Sequence, residues 1–270
     1  PPKKQPWEMA PLEESLDWTR LKDASGLRVD RFRFHSQTLD EPRFFLVLYP
    51  QTGELPDRVL IVNHGWFDRP EYLLSRLRLD QAYAKLLSTG SVKPALLVIP
   101  DVRFDNNLRK NAASFPFAQY LPLIVEETLP RMSQHYGLRI ARKNCGIAGF
   151  SFGGYVSLDI GRRYPGQFES VTAISAFYDE QWLFWARETP ETGPTDASGR
   201  GKQTIVVPGP IPRLFLACGT RDRFFKIMTR LHSKFEKAGI GHAWSSSPGG
   251  HTWEYWQSVL EDMLKFHLGS

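Results

Sequence analysis

The stretch Cys145-Gly146-Ile147-Ala148-Gly149-Phe150-Ser151-Phe152-Gly153-Gly154-Tyr155-Val156 decides how this chain is read. Residues 145–149 are a short run without alternation, the pattern of a strand buried on both faces. Residues 153–163 read as a helix with Val156 and Ile160 on one face. Between strand and helix stands G-x-S-x-G, with Ser151 at its centre. The five-residue pattern alone is common; a strand-to-helix turn is the context that makes it specific for a nucleophile. A Cβ at Gly149 or Gly153 would collide where strand and helix fold together. The tight turn holds Ser151 in a strained backbone conformation. It presents the hydroxyl at the helix N-terminus, where the dipole favours developing negative charge. The plain alternative is a structural turn with an incidental serine.

Outward from this turn the same unit recurs. Apolar runs at 59–62, 95–99, 171–175, 214–218 and 243–246 are each followed by a helical segment. One helix is predicted over 70–88, opened by Pro70 and closed before Gly90. Leu121, Val125, Leu129, Met132 and Tyr136 keep helical spacing, with a kink expected at Pro130. Phe224, Met228, Leu231 and Phe235 form another stripe; Trp256, Val259, Leu260 and Met263 form the last. This alternation argues a doubly wound α/β domain. Upstream, Phe32 and Phe34 alternate with Arg31 and Arg33, and residues 43–49 read as a second half-exposed run. Together they predict an antiparallel pair at a sheet edge. Residues 1–24 read as an N-terminal arm with Trp7 and Trp18 as anchors, and residues 25–270 as one domain. Residues 181–212 break the rhythm, with five prolines, four glycines and no period. Leaving the C-terminal edge of the sheet, they read as an insertion over the ligand site.

Composition excludes several classes. The chain has 270 residues, is 41% hydrophobic and 13% aromatic, and so is globular rather than disordered. Its net charge of +5 is dispersed among acids, with no basic run of the nucleic-acid or membrane-surface kind. No stretch approaches the roughly 18 apolar residues of a membrane span. The chain opens at Pro1 rather than Met, as a trimmed or processed chain would. The two cysteines have no metal-ligand spacing and carry no compartment signal. Cys145 starts its strand and Cys218 ends its own, so they are expected as free thiols at opposite edges of the sheet.

A serine nucleophile at neutral pH needs a base. Of seven histidines, His35 falls in an edge strand and His135 on a helix flank. His232 and His267 fall on late helices and read as exposed, and His242 begins the last strand. His64 follows the first parallel strand and belongs to another motif. His251 leaves the last strand on the edge where Ser151 sits, and is the expected base. The base needs an orienting carboxylate, in the chain order Ser, acid, His. Asp222 follows the strand at 214–218, 29 residues before His251. Asp179 and Glu180 are its rivals, and a helix N-cap is its plain alternative. Oxyanion donors are expected from the Phe152 N–H and from Trp66, in His64-Gly65-Trp66-Phe67.

Together these residues resemble the putative-esterase family of α/β-hydrolases. That group includes esterase D-like enzymes, feruloyl and acetylxylan esterases, enterochelin-type esterases and mycolyltransferases. The resemblance runs from about Phe34 to the C-terminus. It is carried by His35-Ser36-Gln37-Thr38-Leu39, Val47-Leu48-Tyr49-Pro50, His64-Gly65, Glu127-Thr128-Leu129-Pro130 with Tyr136, residues 149–154 and Gly250-His251-Thr252-Trp253. Trp66 and Phe67 are bulkier than in many members, and residues 181–212 are an addition.

The resemblance implies an α/β-hydrolase fold, with a mostly parallel central sheet and helices on both faces. It implies a nucleophile, acid and base at Ser151, Asp222 and His251, acting on carboxylic esters without a cofactor or metal. The expected partner is a small-molecule or saccharide-linked ester. Trp182, Phe184 and Trp185, opening the insertion, point to an aromatic or sugar-bearing group. Transfer of the acyl group to an alcohol would use the same residues, and a non-catalytic binding module is the alternative from another class.

Overall fold

The computed structural model describes residues 10–11, 26–51, 53–103, 120–179 and 210–269. Its centre is a nine-stranded sheet in the order β1-β2-β3-β5-β4-β6-β7-β8-β9. The strands are β1 (Ala10–Pro11), β2 (Leu27–Ser36), β3 (Glu41–Pro50), β4 (Val59–Asn63), β5 (Leu96–Pro100), β6 (Cys145–Phe150), β7 (Ser170–Ile174), β8 (Arg213–Gly219) and β9 (Ala243–Ser247). From β5 through β9 every pairing is parallel, and β1, β2 and β3 join antiparallel. The helices are α1 (Pro70–Ser75), α2 (Leu79–Ser88), α3 (Tyr120–Pro122, Leu123–Thr128 and Leu129–Tyr136 in succession), α4 (Phe152–Arg163), α5 (Phe225–Lys237) and α6 (Trp253–Leu268). This is the α/β-hydrolase arrangement.

Two cores lie on opposite faces of the sheet. One packs α3, α4 and α5 against Phe45, Val47, Ile61, Ile147 and Val171. The other packs α1, α2 and α6 against Leu46, Leu60, Val62, Ala148 and Phe150. Neighbours in one strand thus serve different cores, so the central strands lack alternation. On α5 the predicted stripe holds: Met228, Leu231 and Phe235 are fully buried, each contributing roughly 1.5–3 kcal/mol.

Five expectations need correction. Residues 43–49 are buried throughout rather than half exposed. The reason is position, since β3 lies between β2 and β5 with a core on each face. The run at 243–246, expected to be buried like the other parallel strands, is β9, an edge strand with no buried residue. The helix predicted over 70–88 is two helices, separated by Arg78 at φ 61°. Leu77 and Leu79, on either side of the break, are both fully buried. In α3 the deformation precedes Pro130, as a π-helical turn at Leu123–Thr128. The wider turn makes room for a ring that would otherwise strike the carbonyl four residues back. His267 is buried rather than exposed, its ring between the Ser170 and Thr172 hydroxyls at 2.7 and 2.8 Å. Burial pushes it down to about 3. His232 is half-buried against His242 at 2.7 Å.

The turn after β2 is tied to α3. Glu127 is buried, and its Oε1 accepts from the Ser36 hydroxyl at 3.1 Å and the Thr38 N–H at 2.9 Å. Tyr49 and Tyr136 both donate to Asp30 Oδ2. Cys145 and Cys218 are free and buried. Of the arm, only Ala10–Pro11 is described, paired with Arg33 and Phe32. Trp7, Trp18 and residues 181–209, with Trp182, Phe184 and Trp185, lie outside the described residues. No helix among the described residues is long and apolar enough to cross a membrane.

Candidate active site

Ser151 stands between β6 and α4 with φ 54° and ψ −119°, a conformation that non-glycine residues rarely adopt. The surroundings hold it there. Its N–H donates to the Ile174 carbonyl at 2.8 Å, and its carbonyl accepts from Gly154 and Tyr155. A Cβ on Gly149 would enter the Gly153 backbone; one on Gly153 would fall 2.5 Å from the His64 carbonyl. The two glycines therefore let β6, α4 and the end of β4 cross at backbone contact.

Three side chains from separate loops meet at this point. The His251 Nε2 lies 2.9 Å from the Ser151 hydroxyl. Its Nδ1 lies 2.9 Å from Asp222 Oδ2 and 3.1 Å from Oδ1. Asp222 follows β8 and His251 follows β9. The loops are joined by backbone bonds from Thr220 to Ser247 and from Arg221 to Gly249. Burial would raise the Asp222 carboxyl, but hydrogen bonds from His251 and the Phe224 N–H outweigh it and hold the group below its ordinary value. Phe224 and Trp256 meet the His251 ring edge-on, at 5.2 and 5.1 Å between centroids, and fix its plane. Asp179 is exposed, and Glu180 lies outside the described residues.

The loop after β4 comes up beside the serine. A Cβ on Gly65 would fall 3.6 Å from the Ser151 Cβ, so Gly65 borders Ser151 closely, and Trp66 lines the same cleft. His64, fully buried, anchors this loop. Its Nε2 accepts the Val102 N–H at 3.1 Å, which leaves Nδ1 as the donor to the Gly65 carbonyl at 2.8 Å. Burial pushes His64 down to about 4, so the ring stays neutral. Trp66 meets Phe152 edge-on at 5.4 Å.

A cleft of about 550 Å³ opens over Ser151 and His251. Trp66, Phe67, Phe152, Phe177, Phe224 and Trp256 give it aromatic walls, and Asp68 and Arg223 add charge. Sequence reasoning missed Asp68, whose carboxyl burial raises above its ordinary range. It also missed Phe177 and the anchoring part of His64, and it placed Trp256 and Phe224 only in core stripes. No local pattern marks a residue as a cleft wall. The described residues contain no cluster of three or more His, Cys, Asp or Glu able to hold a metal ion.

The family model described as "Putative esterase" matches residues 36–267. The chain belongs to the putative esterase family. This is a family of carboxylic-ester hydrolases, and the match covers every element from the end of β2 to α6. An acetyl esterase from Caldicellulosiruptor saccharolyticus is 22% identical over 145 residues, 46% of this chain. The matched stretch spans 54%, about half, of that curated relative.

Solved structures of the same fold cover nearly the whole chain. A ferulic acid esterase superposes with TM-score 0.71 at 23% identity, covering 91% of this chain and 99% of that one. S-formylglutathione hydrolase from Staphylococcus aureus gives TM-score 0.66 at 16% identity, covering 89% and 98%. The enterobactin esterase from Shigella flexneri gives 0.66 at 19% identity, covering 90% and 60%. At these identities the likeness establishes the fold.

Proposed function

We propose that this protein is a serine esterase that cleaves carboxylic esters through a Ser151–His251–Asp222 triad and an acyl-enzyme. The supporting observation is the hydrogen-bonded chain from Asp222 through His251 to Ser151, opening on an aromatic cleft. Ser151 Oγ bonds to the ester carbonyl carbon while His251 Nε2 takes its proton. The carbonyl oxygen becomes an oxyanion and receives the backbone N–H groups of Phe152 and Trp66. The intermediate collapses, the bond to the alcohol oxygen breaks, and His251 returns the proton to the leaving alcohol. Water then attacks the acyl-serine with His251 as base, releasing the acid and restoring Ser151. Asp222 holds the imidazole with Nδ1 protonated and stabilises the imidazolium.

The cleft walls favour a flat apolar group on the acyl or alcohol side, and relatives of this fold include ferulic acid esterases. Aryl esters are therefore the proposed substrate class. A fluorophosphonate probe should attach to Ser151 by mass spectrometry and fail on Ser151→Ala, which stays folded and hydrolyses no ester. Turnover of feruloyl and aryl esters should exceed that of acetyl esters of the same alcohol. Attachment of the probe to another residue, or esterase activity in Ser151→Ala, overturns the nucleophile. An acetyl preference overturns the substrate class alone.

A further inference from the structure

Strand β2 changes character along one face. Leu27 and Val29 point into the core beside α1 and α2; the next two residues on that face are Arg31 and Arg33. Arg33 stands opposite Phe44 on β3, and Arg31 opposite Leu46. A cavity of about 500 Å³ opens there, bounded by Arg31, Arg33, Phe44, Arg69, Glu71 and Arg103. Arg43 completes a lining of five guanidinium groups and one acid.

The charges do not cancel. Arg103 is bound twice by Asp101, at 2.6 and 2.7 Å, and Arg43 pairs with Glu41. Arg31 pairs with Glu71 at 3.3 Å. Arg33 and Arg69 have no acid within ion-pair distance among the described residues. Among the described residues an excess of two positive charges therefore faces the cavity.

Arg31 adds a further positive group to the wall. Its side chain is only 10% exposed, and among the described residues its buried Nε and Nη1 have no hydrogen-bond partner; neither has Oε2 of Glu71. The guanidinium lies 4.2 Å above the Phe44 ring, which covers its flat face, and Arg31 forms part of the cavity wall. Burial pulls Arg31 below its ordinary value, against the opposing pull of Glu71. A guanidinium fork fits two oxygens of one oxyanion, and the exposed Arg33 and Arg69 are the forks that can reach one here.

We propose that this cavity binds a small dianionic phosphate group, either the free ion or a phosphate monoester. Arg33 and Arg69 balance its two charges and donate to its oxygens, and Arg31 adds its positive charge from the wall. The excess of two charges selects a dianion over a single carboxylate. The site shares the C-terminal sheet edge with Ser151, yet β3 and β6 are three strands apart, roughly 14 Å. The loop at 66–69 lies between the two, with Asp68 on the ester cleft and Arg69 on the arginine cavity.

The test is calorimetric titration of inorganic phosphate and of glycerol 3-phosphate into the full chain at fixed ionic strength. Saturable binding is expected, and the tighter of the two probes tells free ion from monoester. Acetate should bind at least about tenfold more weakly. The Arg33→Gln/Arg69→Gln double variant, shown to be folded by circular dichroism, should lose at least about tenfold in phosphate affinity. Glu71→Gln, which frees Arg31, should bind phosphate more tightly. Ser151→Ala should bind it as wild type does, which keeps this site apart from the catalytic reading. Absence of saturable phosphate binding, equal affinity for acetate, or unchanged affinity in the double variant overturns the proposal.

Discussion

Asp222→Asn tests the triad at the point where the structure dictates the outcome. Oδ1 of Asp222 accepts the Phe224 N–H at 2.8 Å, and Oδ2 lies 2.9 Å from His251 Nδ1. Asparagine has one acceptor and one donor for these two positions. If its oxygen serves Phe224, its NH₂ faces Nδ1 and can bond only to an unprotonated nitrogen. The imidazole proton then moves to Nε2, which faces Ser151, and the base is lost. The reverse orientation sets NH₂ against the Phe224 N–H, leaving that donor unpaired at about 1–3 kcal/mol.

The first arrangement wins, and kcat should fall on the order of 10⁴, or about 5.4 kcal/mol of barrier. The measurement is kcat for a p-nitrophenyl ester, with circular dichroism to confirm the fold. Asp179→Asn, on an exposed position, should keep wild-type turnover. Activity within about tenfold of wild type in Asp222→Asn would refute the argument, because a correctly protonated His251 would not then need this carboxylate.

Two further predictions concern stability. Gly153→Ala should cost more than about 2 kcal/mol in urea unfolding, because the new Cβ meets the backbone of Asn63 and His64 rather than a movable side chain. A midpoint equal to wild type would show that β4 and α4 can separate. His64 and His267 have folded values pushed by burial to about 4 and about 3, against an ordinary 6.5. The unfolded chain therefore binds protons that the folded chain excludes, so stability falls as pH drops below about 6.5 and continues toward 4. By pH 5 the loss is on the order of 2 kcal/mol for each histidine. A guanidinium midpoint unchanged between pH 7.5 and 5 would contradict it.

The sequence alone determined the elements whose cause is local. Strands β4 to β8 lie within about a residue of their apolar runs, because a strand covered on both faces is largely apolar whatever its neighbours are; β9, expected to be buried like them, is an edge strand with no buried residue. G-x-S-x-G announced its own turn, since only glycines tolerate the backbone contacts around Ser151. The positions of Asp222 and His251 after β8 and β9 were legible, because each follows an apolar run that marks its strand.

Tertiary structure decided what depends on neighbours distant in the chain. Residues 43–49 are buried because β3 has a strand on each side, and one sequence cannot show which strands flank it. His267 reads as exposed on a helix until Ser170 and Thr172, far back in the chain, close around it. The break at Arg78, at φ 61°, carries no glycine or proline to announce it, and the leucines on either side of it are both buried in one core. Asp68, Phe177 and the arginine cavity are surfaces assembled from several loops. Each contributing residue is ordinary in its own segment, and only the packed sheet edge brings them together.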